Sequence, residues 1–389
     1  MISPYAELPD HQFWRRAVSR VEPFLLDPVI ESGVKIGRAD KVATAGSCFA
    51  QHISRSLRVA GFNYYVVEDR SPFDDDKEAN RRNFGVFSAR YGNLYTVQQL
   101  LQLFLEAFDR RAPQEVAWRR GDGRFVDAFR PQIEPDGFAS VEEVHANRKA
   151  HLAAVRRMFE TSDVLIFTLG LTEAWRSRAD GSVFPLAPGV AGGSYDAKRH
   201  EFVNYSIFEV YQAMSDFIVE FRRINPGCRI VLTVSPVPLI ATYESRHVLV
   251  STIYSKSVLR VAAAEIVKVN DGVEYFPSYE IITGNYTRGA YYESDMREVN
   301  AIGVAHAMKV FMKHYLAESP SIQAGSPDLF TSADPIGPEP RLEPEDSNLS
   351  VRDYDDIVCD EEIIEQARER DDRMRALKSD DADLSTRLG

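Results

Sequence analysis

The chain has 389 residues, 44% of them hydrophobic and 27% charged, enough to bury a full core in one large α/β domain with accessories or in two domains. A formal net charge of −12 and the lack of a basic stripe argue against nucleic acid as a ligand, because phosphate binding depends on clustered Lys and Arg. No run approaches the roughly 18 apolar residues of a membrane helix, so no membrane span is expected.

The opening MISPYAELPDHQFWRR lacks a basic segment followed by an apolar run of about seven residues, so no secretory signal is read. Cys48, Cys228 and Cys359 are odd in number and far apart, which fits neither a disulfide framework nor a Cys-x-x-Cys metal site. The cytoplasm is the expected compartment.

In chain order, residues 1–40 read as an N-terminal extension packed on the core. Val42 to Ala45 is a short apolar run like a buried strand, and Gly46 breaks it. Phe49, Ile53 and Leu57 then share one helical face until Gly61. Three later helices are announced by capping boxes: Thr96 with Gln99, Ser140 with Glu143, and Ser206 with Glu209. Two further helices are expected, from about Ser251 to Val269 and from about Asn300 to Tyr315, where Val304, Met308 and Phe311 share a face.

Between the helices lie continuous apolar runs, DVLIFTLG (163–170), CRIVLTVSP (228–236) and the shorter GVEYFP (272–277). Runs apolar on both faces suit central strands of a parallel sheet covered by helices, and the alternation predicts a doubly wound α/β sandwich. The α/β domain is expected over 41–317, with a loop insertion at about 176–205. Residues 318–389 read as an acidic, Pro-rich, largely disordered tail with one marginal helix.

In open parallel sheets ligands gather beyond the carboxyl ends of the strands, where Ser47, Gly170, Ser235 and the residues after Phe276 fall. Ser47 at the start of a helix has the positive end of the dipole and nearby N–H groups, which suit a developing oxyanion. Read alone, Gly46-Ser47 after a strand is first of all a turn and an N-cap, and composition and spacing do not overturn that reading. Cys48 is the rival nucleophile, since a helix N-terminus lowers thiol pKa, although free cysteine is more often simply buried.

The segments TAGSCFAQ, FSARYGNLYTVQQLLQL, FTLGLTEAW, VSPVP with YSKSVLR, and FPSYEI resemble, in order, the blocks of the GSCFA domain family, which is similar to the SGNH (GDSL-type) hydrolases. The resemblance implies a three-layer α/β/α fold with a mostly parallel sheet, like that of SGNH hydrolases, and a serine nucleophile at Ser47. It also implies an oxyanion hole made by the Ser47 N–H, the second-block glycine Gly92 with Asn93 beside it, and a polar side chain in the third block. There the SGNH pattern Gly-x-Asn-Asp is replaced by Gly170-Leu171-Thr172-Glu173, which leaves Thr172 or Asn93 as the donor. At the last block, where SGNH enzymes have Asp-x-x-His-Pro, the chain reads Asp295-Met296-Arg297-Glu298-Val299, with Glu298 in the position of the base.

A carboxylate is a poor base for a serine hydroxyl unless burial raises its pKa, so His247, in the loop after VLTVSP, is the alternative base and His200 a second one. His52 and His306 lie within helices and read as packing or solvent-facing. Trp175, with Glu173 near it, is the candidate substrate-binding wall, next to an aromatic and glycine-rich insertion of the kind that forms lids. No ligand spacing supports a metal, and no cofactor is expected.

The expectation is a serine esterase or acyltransferase acting on a small-molecule or saccharide O-acyl ester, with Ser47, Asp295 and either Glu298 or His247 as the catalytic set. The rival is a saccharide- or acyl-binding protein that keeps the fold without the usual histidine base. No motif specifies an oligomeric state.

Overall fold

A computed structural model of the protein describes residues 3–68, 75–317, 361–370 and 372–373. The expected tail is therefore described only at 361–373, less residue 371, where 362–370 are helical. The rest of it lies outside the described residues.

Four strands, β1 (Val42–Gly46), β4 (Val164–Leu169), β8 (Arg229–Val234) and β9 (Val273–Tyr275), form one parallel sheet in the order β1-β4-β8-β9. Gly46 pairs with Thr168, Leu169 with Val234, and Leu232 with Tyr275, so the carboxyl ends of the first three strands lie side by side. Each strand follows an apolar run legible in the sequence, because a sheet covered on both faces has no polar side to show.

Alternate residues of those runs feed two cores, one on each face of the sheet. Ala43, Leu165, Phe167, Ile230 and Leu232 pack with helices α3 (Val97–Ala107), α4 (Val141–Thr161), α5 (Ile207–Ile224) and α6 (Val248–Val269). Val42, Val164, Ile166 and Val231 pack on the other face with α1 (Ala50–Val59), α7 (Ser278–Thr283) and α8 (Ala301–Tyr315). The result is a three-layer α/β/α protein. The remaining helix, α2 (Asp76–Arg81), precedes the loop that leads into α3.

The N-terminal extension adds Val34 and Ile36 to the second core, and Ile36 is hydrogen-bonded on both sides, to the Tyr315 carbonyl at 2.7 Å and from the Ala317 N–H at 2.9 Å. Thr96 and Ser206 close full capping boxes. At Ser140 the box is half made: Ser140 caps the Glu143 N–H, but the Glu143 carboxylate takes the Ala139 N–H at 2.8 Å, one residue early. Helix α6 starts at Val248, three residues before the expected Ser251, because the His247 side chain caps it.

Two small sheets were not legible in the sequence. A hairpin joins β2 (Ala117–Arg119) and β3 (Phe125–Asp127). The expected loop insertion instead carries β6 (Val183–Phe184) and β7 (His200–Asn204), which flank β5 (Glu173–Ser177) in an antiparallel sheet with Trp175 opposite Phe202. These strands have five residues or fewer and mixed burial, too short for a period of two to stand out.

Candidate active site

The site begins with a constraint on Gly46. Its φ of +130° and a Cβ that would stand 2.3 Å from the Thr168 carbonyl oxygen admit no other residue. Ser47 donates its N–H to Thr168 O at 3.1 Å, which extends the pairing with β4 by one residue, and the chain then turns through 47–49 into α1.

The loop before α3 is stitched to this turn. Leu94 N–H bonds Gly46 O at 2.8 Å, and Tyr95 O accepts the N–H groups of Gly170 (3.0 Å) and Leu171 (3.1 Å). Gly170 lies so close that a Cβ there would be 3.0 Å from Tyr95 O and 3.1 Å from Ser47 Cβ. Three sequence blocks, around Gly46, Leu94–Tyr95 and Gly170, thus meet at one strand end because their backbones hydrogen-bond each other.

Ser47, Cys48, Tyr95, Gly170, Leu171, Ser235, Lys256 and Glu361 line a small cavity there, together with the 237–239 loop. Ser47 is 3% exposed, and its Oγ has no hydrogen-bond partner among the described residues. Buried hydroxyls are ordinarily bonded, since leaving one unmade costs about 1–3 kcal/mol, so an unpartnered serine at a cavity makes Ser47 the candidate position for chemistry.

Lys256, from α6, is 2% exposed and donates from Nζ to the Gly170 carbonyl oxygen at 2.5 Å. Burial pulls its pKa down to about 8, opposed by the interactions with Glu361 and Cys48 and assisted by the charge of Arg297. Glu361, at the start of the 362–370 helix, is 7% exposed and receives Arg297 Nη2 on Oε2 at 2.5 Å. Burial pushes its carboxyl up, and Arg297 and Lys256 counter that.

The cavity contains Ser47 and its rival Cys48 together. It does not contain the carboxylates or the histidines read from the sequence. Asp295 and Glu298 are exposed, and Asp295 Oδ1 accepts the N–H groups of Arg297 (2.9 Å) and Glu298 (3.0 Å), closing a turn. Burial and then the neighbouring Asp295 raise the Glu298 carboxyl. The residue of this block that reaches the site is Arg297, through Glu361.

His247 is exposed, with Nδ1 accepting the Leu249 N–H at 3.2 Å as the cap of α6. His200 is buried, with Nδ1 accepting the Asp196 N–H and Nε2 3.2 Å from Glu115 Oε2. His52 is packed 5.3 Å from Phe49 between ring centres, its pKa pushed down to about 3 by burial, and His306 is bonded to Tyr291 and to the Leu26 carbonyl.

Gly92, with φ of +69°, and Asn93, 1% exposed, lie in the loop tied to Gly46. Thr172 is buried and already engaged, its N–H to Ser255 Oγ at 2.9 Å and its hydroxyl to Asn204 Oδ1 at 2.7 Å. Glu173 receives the Thr242 hydroxyl at 2.6 Å and the Tyr243 N–H at 3.2 Å. Trp175 of β5 meets Tyr243, Tyr195 and Phe202 of β7 with ring centres 4.8, 5.2 and 5.9 Å away, an aromatic cluster that Tyr243 joins from the loop following the 237–239 cavity lining.

Lys256 and Glu361 went unread in the sequence. A signal for Lys256 exists: in α6 the buried residues Ser251, Ser255, Leu259, Ala262, Ala263 and Ile266 form a helical stripe, and Lys256 falls on it. A lysine at a buried position of such a stripe calls for a reason. Glu361 carries no local signal, because nothing in DEEIIEQARER tells which acid turns inward.

Among the described residues no group of three or more His, Cys, Asp or Glu stands together to hold a metal, and no helix is long and apolar enough to cross a membrane. Fold and site together define a parallel-sheet α/β/α protein with a buried serine and a buried lysine at the carboxyl ends of its strands. The chain belongs to the GSCFA family, whose family model matches residues 41–311, from the first residue before β1 to the middle of α8. No curated protein matches it.

Proposed function

We propose that the protein is a serine esterase or O-acyltransferase, similar to the SGNH hydrolases, that forms an acyl-Ser47 intermediate with an O-acyl ester of a saccharide or another small molecule. The observation that carries this reading is the unpartnered Ser47 Oγ sharing a small cavity with the buried amine of Lys256. Neutral Lys256 takes the hydroxyl proton as Ser47 Oγ attacks the acyl carbonyl, and the resulting ammonium returns it to the departing alcohol. In the second half, water or an acceptor hydroxyl gives its proton to Lys256 as it attacks the acyl-Ser47 carbonyl, and the ammonium returns that proton to Ser47 Oγ as the bond from the carbonyl carbon to Oγ breaks.

Serine–lysine pairs run acyl transfer on unrelated folds, and such a lysine needs a depressed pKa, which burial supplies here. Lys256 also supplies the base that Glu298, exposed and turned into a local loop, is poorly placed to be. The rings of Trp175, Tyr195 and Tyr243 offer a face for a sugar or an acyl chain.

A second reading, a binding protein on the same fold, is favoured by one feature. Two implied oxyanion donors, the Ser47 N–H and the Thr172 hydroxyl, are already bonded, to Thr168 O and Asn204.

Fluorophosphonate labelling and turnover of short aryl esters separate the readings, compared across Ser47→Ala, Cys48→Ala, Lys256→Met, Glu298→Gln and His247→Ala. Labelling lost in Ser47→Ala, and turnover down about 10²–10⁴-fold in Lys256→Met, is the expected result. Loss in His247→Ala or Glu298→Gln with Lys256→Met active would move the base. Loss confined to Cys48→Ala would move the nucleophile. Neither labelling nor turnover in any form, Glu361→Gln included, leaves the binding protein.

A further inference from the structure

Attack of Ser47 Oγ on an ester drives the carbonyl electrons onto oxygen, and a buried oxyanion needs hydrogen-bond donors aimed at it. The N–H groups along the Ser47 cavity are largely spent. Ser47 gives its own to Thr168 O, Gly170 and Leu171 give theirs to Tyr95 O, and Ser235 gives its N–H to Leu169 O at 2.8 Å. Val237 donates to Ser235 Oγ and Leu239 to Thr252 Oγ1, both at 3.3 Å. The Thr172 hydroxyl is taken by Asn204.

We infer that Ser235 supplies the missing donor: its hydroxyl holds the carbonyl oxygen of the ester while Ser47 attacks, which makes it a catalytic residue of the cavity. This rests on the acyl-transfer reading above.

Three observations lead there. First, Ser235 is 1% exposed and lines the cavity, yet its Oγ is engaged as an acceptor alone, of the Val237 N–H, and its proton has no acceptor among the described residues. A buried hydroxyl with an idle proton forgoes a bond worth about 0.5–1.5 kcal/mol. Second, β1 and β8 flank β4, so Ser47 is pinned to one side of the β4 end through Thr168 O and Ser235 to the other through Leu169 O. Neighbouring strands lie about 4.8 Å apart, which puts those two backbones about 10 Å from each other. The residue between them is Gly170, where a Cβ would stand 3.1 Å from Ser47 Cβ. A side chain there would crowd the nucleophile, whereas glycine leaves the gap to a carbonyl group held from both sides. Third, Lys256 is occupied otherwise: Nζ donates to Gly170 O at 2.5 Å and carries the proton between Ser47 and the leaving alcohol.

In this step the bond from Ser47 Oγ to the carbonyl carbon forms as the C=O π pair moves to oxygen, and Lys256 takes the Oγ proton. Ser235 keeps its own proton and hydrogen-bonds the oxyanion. When the C=O bond re-forms, the alkoxide leaves with the proton from Lys256 and Ser235 is unchanged. The hydrogen bond strengthens as charge builds on oxygen, so it lowers the barrier more than it tightens substrate binding.

The test is turnover of a phenyl ester and of the matching thionoester, with C=S in place of C=O, by the unaltered chain, Ser235→Ala and Ser235→Cys. Sulfur is a weak acceptor, so the donor helps the ester far more than the thionoester. Ser235→Ala is expected to lower ester kcat about 10²–10³-fold with KM within about twofold, and thionoester kcat less than about tenfold. An ester loss below about tenfold, or a thionoester loss equal to the ester loss, overturns the inference, because a merely structural serine slows both alike. Should Ser235→Ala fail to fold, Ser235→Cys, close in volume and with a weak S–H donor, is read the same way: the ester slowed more than the thionoester supports the inference, and equal slowing or none overturns it. An unaltered chain that neither turns over esters nor labels at Ser47 removes the acyl-transfer reading and the role of Ser235 with it. An active chain indifferent to substitution at Ser235 removes that role alone.

Discussion

Ser47 and Gly46 are neighbours under opposite constraints. The Ser47 hydroxyl is buried without a partner, so Ser47→Ala removes an unmet polar group, and denaturant unfolding should show it as stable as the parent or up to about 1 kcal/mol more so while activity is lost. Gly46→Ala places a Cβ against the Thr168 carbonyl oxygen at a φ closed to L-residues, and the same measurement should show a loss of about 3 kcal/mol or more. Lys256 makes a kinetic prediction. In the proposed reaction Lys256 works deprotonated, so ester turnover should rise with pH through an apparent pKa of about 8. Because Glu361 favours the charged amine, Glu361→Gln should move that limb to lower pH, and a profile indifferent to Glu361 would show the two groups uncoupled.

At the scale of elements, the β2–β3 hairpin is held to the helices by charge. Asp127 of β3, wholly buried, bonds Arg130 at 2.9 Å and Arg148 of α4 at 3.2 Å, and Arg148 also pairs with Glu106 of α3. Removing the shared acid takes the carboxylate from buried Arg130 and leaves Arg148 with Glu106 alone, so Asp127→Ala should cost about 3–5 kcal/mol in an unfolding titration. Replacing Asp136, exposed at its ion pair with Arg81, should stay within about 1 kcal/mol by the same measurement. This network escaped the sequence reading because its members lie as far apart as residues 106 and 148, and nothing local separates Asp127 from a surface acid.

For the molecule as a whole, the buried histidines set the acid limit. His52 and His151 have folded pKa values pushed by burial to about 3 and about 4, below the ordinary 6.5. The unfolded chain therefore binds more protons across that window, and stability present above about pH 6.5 is lost as pH falls toward 4. Glu68, which accepts His151 Nδ1 at 2.6 Å, and Asp127 are both held at about 2, and their contributions disappear in turn below the ordinary carboxylate range. Urea midpoints should fall steadily from pH 6.5 to pH 4, and His151→Gln should flatten part of that slope. The tail belongs to this scale too, since Glu361 reaches a cavity built from strand ends and α6 and bonds Arg297 of the 295–298 turn.

By itself the sequence determined the layered architecture and the position of Ser47. The sheet's apolar runs, the capping residues and Gly46 before Ser47 act through neighbours a few residues away, and period and backbone geometry make such signals local. Only the tertiary structure decided what surrounds that serine. The Asp-x-x-Glu block that aligned with a catalytic pair turns its carboxylates outward and sends Arg297 inward. His247 is spent on a helix cap, and the amine and the acid at the cavity come from α6 and from a segment 314 residues beyond Ser47. Whether a charged side chain faces water or a cavity depends on the free energy of the finished packing, in which desolvation is set by every element that closes over it, and no local pattern of residues carries that sum.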